Sequence, residues 1–154
     1  MILLLSTSDT DLLCARASGA DYRWANPARV LPDDLPGLLT GADIVVVRLL
    51  GGARAWEDGL SVVLGSGRPV VALGGELAPD ADLMGYSTTP AGVAAAAHNY
   101  LAAGGADNLL QLHHFLSDTL LLTGHGFAPP AHTPSWGVHE RAAADVDGPV
   151  VAVL

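Results

Sequence analysis

The sequence contains no lysine. Its seven basic residues are all arginines, set against sixteen carboxylates, for a formal net charge of −9 at pH 7. That balance argues against a general nucleic-acid binder, which needs a basic face to displace counterions from phosphates. A P-loop is excluded with the lysine it requires. A few well-placed arginines can still hold an anionic ligand, because local charge decides that. Cysteine occurs once, at Cys14, so no intrachain disulfide can form and a reducing, cytoplasmic setting is expected. No apolar run approaches the roughly 20 residues of a membrane-spanning helix. Met1 to Leu5 has no basic flank and reaches Ser6-Thr7-Ser8-Asp9 too early for a signal peptide.

What is present is a core. The chain has 154 residues, 50% of them apolar and only 15% charged, which suits one ordinary folded domain. The most informative stretch is Asp43 to Gly52. Ile44 to Val47 is an unbroken β-branched run, the pattern of a strand buried on both faces of a parallel sheet. Gly51-Gly52 break it, and Ala53 to Leu64 reads as a helix. In an open α/β sheet, ligands bind in the crevice at the carboxyl ends of the strands, and Arg48, Gly51 and Gly52 fall there.

Other elements follow by pattern. Ile2 to Leu5 is a first buried strand, with Ser6 to Asp9 offering N-caps for a helix through about Ala17 and Gly19 as its stop. Tyr22 to Trp24 is a short second strand ended by Asn26-Pro27, and Pro32 to Leu39 one or two helical turns. Pro69 to Leu73 completes a strand–helix–strand unit. Thr89-Pro90 starts an alanine-rich helix to about Ala102, with threonine as cap. Asp107 is read as the cap of the next helix, in which Leu109, Leu112, Phe115, Leu116 and Leu120 form an apolar stripe. The expected architecture is α/β, a small Rossmann-like or flavodoxin-like parallel sheet flanked by helices. It divides into a head domain over residues 1–122, an irregular Pro/Gly-rich C-terminal arm over 123–148, and a terminal strand over 149–154. Ending in a buried-strand pattern is what a piece of a longer chain would do, that strand being the start of a following domain.

Several side chains are candidates for chemistry. Arg48 sits among apolar neighbours, so it must either pair with Asp43, Glu57 or Glu76 or hold a ligand carboxylate with its planar fork. Gly51-Gly52 would let a ligand approach the next helix N-terminus, though they lack nucleotide-binding spacings. His113, His114, His125, His132 and His139 crowd one region, yet they lack the spacing of a known metal motif. His114 and Asp118, four apart on a helix, are expected to form a surface pair. His125, between Gly124 and Gly126, is either a ligand contact or part of a tight turn after a helix, with Phe127 and Trp136 covering the core. Tyr22, Trp24, Trp56 and Trp136 either stack on a planar ligand or fill a core. Ser6, Ser8 and Asp9 read as caps, and no self-contained active site is evident.

Six stretches carry a family resemblance. They are Leu3 to Asp11, Tyr22-Arg23-Trp24-Ala25-Asn26-Pro27, Arg48 to Gly52, Phe115 to Thr119, Thr123 to Phe127 and Pro134 to Val138. In this order they resemble the start of the aerobic cobaltochelatase large subunit (the CobN type), in the family that includes the magnesium chelatase large subunit. The resemblance implies a much longer parent chain that binds a tetrapyrrole and works with two ATPase-type subunits. It implies insertion of Co²⁺ into hydrogenobyrinic acid a,c-diamide at the expense of MgATP, in aerobic cobalamin synthesis. This piece would carry no cofactor of its own and be inactive alone, serving in substrate recognition or subunit contact. The candidate substrate contacts are then Arg48, Gly51, Gly52, His125 and Arg23. Three other readings stand beside it: a purely structural or docking domain, a porphyrin-binding relative of magnesium chelatase, and a free-standing nucleotide-binding module.

Overall fold

The β-branched and leucine runs become strands because each can bury side chains on both faces at once. The computed structural model describes residues 1–132. The terminal strand expected over 149–154 and most of the expected arm lie outside the described residues, as do Trp136 and His139. Strand β1 (Ile2–Ser6) leads into α1 (Asp9–Ala17), and β2 (Tyr22–Ala25) into two 3₁₀ turns, Pro27–Arg29 and Pro32–Asp34, then α2 (Leu35–Leu39). Strand β3 (Ile44–Leu49) is followed by a 3₁₀ turn, Ala53–Trp56, and α3 (Glu57–Leu64). After β4 (Val70–Gly74) come α4 (Ala81–Met84), α5 (Ala91–Ala103) and α6 (Ala106–Leu121). The four strands form one all-parallel sheet in the order β2-β1-β3-β4. This is the α/β architecture, helices flanking a parallel sheet, that the pattern implies.

Side-chain alternation splits the core in two. Ile2, Leu4, Ile44, Val46, Val71 and Leu73 face α1, α5 and α6, where Leu109, Leu112 and Leu116 supply the expected stripe. Leu3, Leu5, Val45, Val47, Leu49 and Val70 face α2 and α3 through Leu35, Leu39, Leu60 and Val63. The β1 and β3 loops meet at the carboxyl edge, where Thr7 N–H donates to the Arg48 carbonyl at 3.1 Å and Leu50 N–H donates to Thr7 Oγ1 at 2.9 Å.

Three boundaries differ from the sequence reading. The expected helix from Ala53 is interrupted because Trp56, at φ −153° and ψ 45°, leaves helical geometry before α3 begins. Thr89 does not cap α5; its hydroxyl donates to the Val70 carbonyl at 3.5 Å, and Pro90 occupies the cap position. Asp107 lies within the first turn of α6, whose cap position is Gly105, so it serves the helix dipole rather than capping.

The β4 edge explains why Thr89 is diverted. An open strand edge invites unwanted pairing. Here residues 87–89 run beside β4 and use side-chain hydroxyls as ladder partners. Ser87 Oγ accepts from Ala72 N–H at 2.9 Å, and Thr88 Oγ1 accepts from Val70 N–H at 2.8 Å. Ser87→Ala strands the buried Ala72 amide, and urea unfolding is expected to show a loss of about 1–3 kcal/mol. An unchanged midpoint would mean the hydroxyl is dispensable.

Candidate functional site

Arg48 lies at the carboxyl end of β3, as expected, but it points inward. It is 7% exposed, and its Nη1 donates to both oxygens of Asp11, at 2.9 and 3.0 Å. Nε donates to the Gly74 carbonyl at 3.3 Å, Nη2 to the Gly75 carbonyl at 3.1 Å, and Nη1 also to the Leu101 carbonyl at 3.3 Å. Asp11 belongs to the first turn of α1, where a carboxylate is favoured. Ser6 completes the arrangement: its hydroxyl donates to Asp11 Oδ2 at 2.6 Å and accepts from Ser8 N–H at 3.1 Å. Ser6 is therefore a buried link, while Ser8 alone caps α1. The expected partners Asp43, Glu57 and Glu76 are replaced by Asp11, 37 positions earlier in the chain. With its fork occupied by protein oxygens, Arg48 is a strut between β3, α1 and the end of α5.

Gly51 and Gly52 take φ values of +92° and +78°, which glycine alone adopts at little cost. They swing the chain outward between two open clefts. One, of about 690 Å³, is lined by Gly51, Gly52, Arg54, Asp80, Asp82 and Tyr86 among others. The other, of about 530 Å³, lies between the turns after β2 and the start of α3, and Trp56 lines it. Arg54 borders both, is exposed, and has no polar partner among the described residues. The α3 N-terminus already carries Glu57 and Asp58, so it does not present the bare dipole that would attract an anion. Arg54 was legible as the arginine just beyond the glycine pair, yet only the folded loop shows that it, not Arg48, faces solvent at the crevice.

The other two candidate contacts sit at the far end of the sheet. Arg23, near the start of β2, uses Nη1 to donate to the carbonyls of Gly37, Leu38 and Thr40 at 3.2, 2.8 and 2.8 Å, closing the C-terminus of α2. His125 stacks on His114, ring centroids 5.0 Å apart, with His113 6.4 Å away. His113 in turn meets Tyr22, the first residue of β2, edge-on at 5.2 Å. Tyr22 itself is core, its hydroxyl donating to the Leu109 carbonyl at 2.8 Å. The five candidates thus divide: Arg48, Gly51 and Gly52 at one end, Arg23 and His125 at the other.

The turn around His125 is built by Asp118. Its carboxylate accepts from Thr123 Oγ1, His125 N–H and Gly126 N–H, each at 2.7 Å. These bonds, the Thr123 hydroxyl first, pull its pKa down to about 2. Asp118 therefore holds the turn, and the expected pair with His114 does not form. Beyond it the chain doubles back over α5 and α6. Phe127 meets Phe115 edge-on at 5.1 Å, Tyr100 Oη donates to the Ala128 carbonyl at 2.6 Å, and Asn108 exchanges two 2.8 Å hydrogen bonds with Ala131. Among the described residues, no three His, Cys, Asp or Glu side chains are placed to hold one metal ion. No described helix is long and apolar enough to cross a membrane.

No family model matches the chain, and no curated protein matches it. Among solved structures, it is similar to the catalytic subunit of cobaltochelatase from Mycobacterium tuberculosis, at 57% identity and a TM-score of 0.87. The match supports a place in the cobaltochelatase family. It covers 92% of this chain and 12% of that one, so the chain spans about an eighth of its relative's length. The resemblance seen in the six sequence stretches and the measured similarity agree on the cobaltochelatase relationship.

The histidine cluster gives a pH test. Burial, then the neighbouring His114 and the N-terminal ammonium, lower the His113 pKa below its ordinary 6.5. A base with a lowered native pKa binds fewer protons when folded, so its contribution is intact above pH 6.5 and is lost as pH falls below it. Urea midpoints should decline more steeply between pH 7 and about 5 in the wild type than in His113→Phe. Parallel curves would remove His113 from the acid response.

Proposed function

We propose that this chain is the N-terminal head region of the large subunit of an ATP-dependent cobaltochelatase of the CobN type. In this reading the complete enzyme inserts Co²⁺ into hydrogenobyrinic acid a,c-diamide in aerobic cobalamin synthesis, in the cytoplasm. The observation that carries it is 57% identity over 92% of the chain to a cobaltochelatase catalytic subunit, with the fold superposing at a TM-score of 0.87. The cobalt relative also favours this branch over magnesium chelatase. MgATP belongs to two ATPase-type partner subunits, in keeping with a chain that has no lysine for a P-loop.

The head alone is non-catalytic, and metal insertion belongs to the rest of the large subunit. Its own role is contact within the enzyme rather than capture of the tetrapyrrole. Arg48 is spent on Asp11, and Arg54 shares the crevice with Glu57, Asp58, Asp80 and Asp82. A polycarboxylate substrate would meet more negative than positive charge there. A docking role also accounts for the exposed Leu31, Leu50 and Leu77 along that end of the molecule.

The test is a chimera. The matching stretch of the Mycobacterium tuberculosis subunit is replaced by this chain, and cobalt insertion is assayed with the ATPase partners and MgATP. The chimera should retain activity, while this chain alone shows none. A well-folded chimera without activity, or insertion by the isolated chain, would contradict the reading.

A further inference from the structure

The cleft between the turns after β2 and the start of α3 combines a flat floor, apolar walls and an acidic rim. The floor is Trp56, half-buried. A Cβ at position 59 would overlap its indole, so Gly59 is what lets the ring lie against α3. The walls include Pro27, Pro32, Leu31 and Val62, the last two 67% and 45% exposed. Together with the indole they leave apolar surface in a cleft of about 530 Å³.

The rim sets the charge of what can bind. Glu57 and Asp58 line the cleft, and Asp33 and Asp34 follow Pro32 on the adjoining turn. All four are exposed and have no side-chain hydrogen bond or ion pair among the described residues. Arg54 is the one cation lining the cleft. Two free carboxylates lining the cleft against one guanidinium, with Asp33 and Asp34 on the adjoining turn, favour a cationic occupant, whereas the exposed Leu31 and Val62 require apolar groups on the same molecule. A small cation meets only the first demand, and an anionic ligand neither.

We propose that this cleft docks a polypeptide segment presenting an arginine flanked by apolar side chains. The guanidinium stacks on the Trp56 indole, where arginine gains from the ring's negative face. Glu57 and Asp58 stand beside it as counter-charges. The flanking apolar side chains cover Leu31 and Val62. This rests on the head being a contact module, and names the chemistry of the surface it contacts.

The test uses the 154-residue chain carrying Trp24→Phe and Trp136→Phe, so that fluorescence reports Trp56 alone. It is titrated with acetyl-Leu-Arg-Val-amide, with the same peptide carrying glutamate for arginine, and with citrate. The arginine peptide should give a saturable change in emission, about tenfold tighter than the glutamate peptide. Glu57→Gln with Asp58→Asn should weaken it several-fold, and so should added salt. Equal response to the two peptides, no saturation by about 10 mM, or tighter binding of citrate would overturn the proposal. The citrate outcome would identify an anion site at Arg54 instead. None of these results bears on the chimera, which reads cobalt insertion rather than one cleft.

Discussion

The buried pair of Arg48 and Asp11 is the constraint on which the carboxyl end of the sheet depends. Two charges taken out of water cost several kcal/mol each unless their remaining donors and acceptors are met. Here Ser6, the carbonyls of Gly74 and Gly75, and the Leu101 carbonyl near the negative end of α5 meet them. One side chain therefore ties β3 to α1, to the turn after β4 and to α5. The loops that frame the crevice are positioned by this buried hub, with Thr7 linking β1 and β3 beside it.

From that hub the surface chemistry follows. An inward Arg48 leaves Arg54 as the arginine at the crevice, and the carboxylates around it make the rim acidic. At the opposite end, Arg23 closes α2 and the histidines pack together against β2, so the molecule has two chemically different poles. Along its flank, Asn108, Tyr100 and the Asp118 turn lay the chain after α6 firmly across α5 and α6.

Patterns local to a strand or helix were legible in the sequence. Ile2 to Leu5 and Ile44 to Val47 form strands because buried β-structure and those side chains select one another, and Leu109, Leu112 and Leu116 declare a helix face. What depended on strand order was not legible. Asp11 became Arg48's partner because β1 and β3 are neighbours, a fact of topology that no spacing near Arg48 records. Chain direction likewise separated Arg23 and His125 from Arg48, since residues at the start and end of parallel strands lie at opposite poles. Thr89 failed as a cap because a neighbouring strand edge needed its hydroxyl. Trp56 left its helix to lie on Gly59, a contact invisible to helical periodicity. The resemblance to cobaltochelatase was legible in the six quoted stretches, whereas the residues that face solvent in the crevice needed the fold.

A double-mutant cycle of Arg48→Met and Asp11→Leu, followed by urea unfolding, decides whether this pair is a strut. Each single variant should lose about 3–5 kcal/mol, because it leaves its partner's charge buried and unpaired. The double variant should recover much of that loss, since an apolar pair of similar volume replaces an ion pair at little net cost. Single variants of unchanged stability would contradict the account, leaving Arg48 free for the role of ligand anchor.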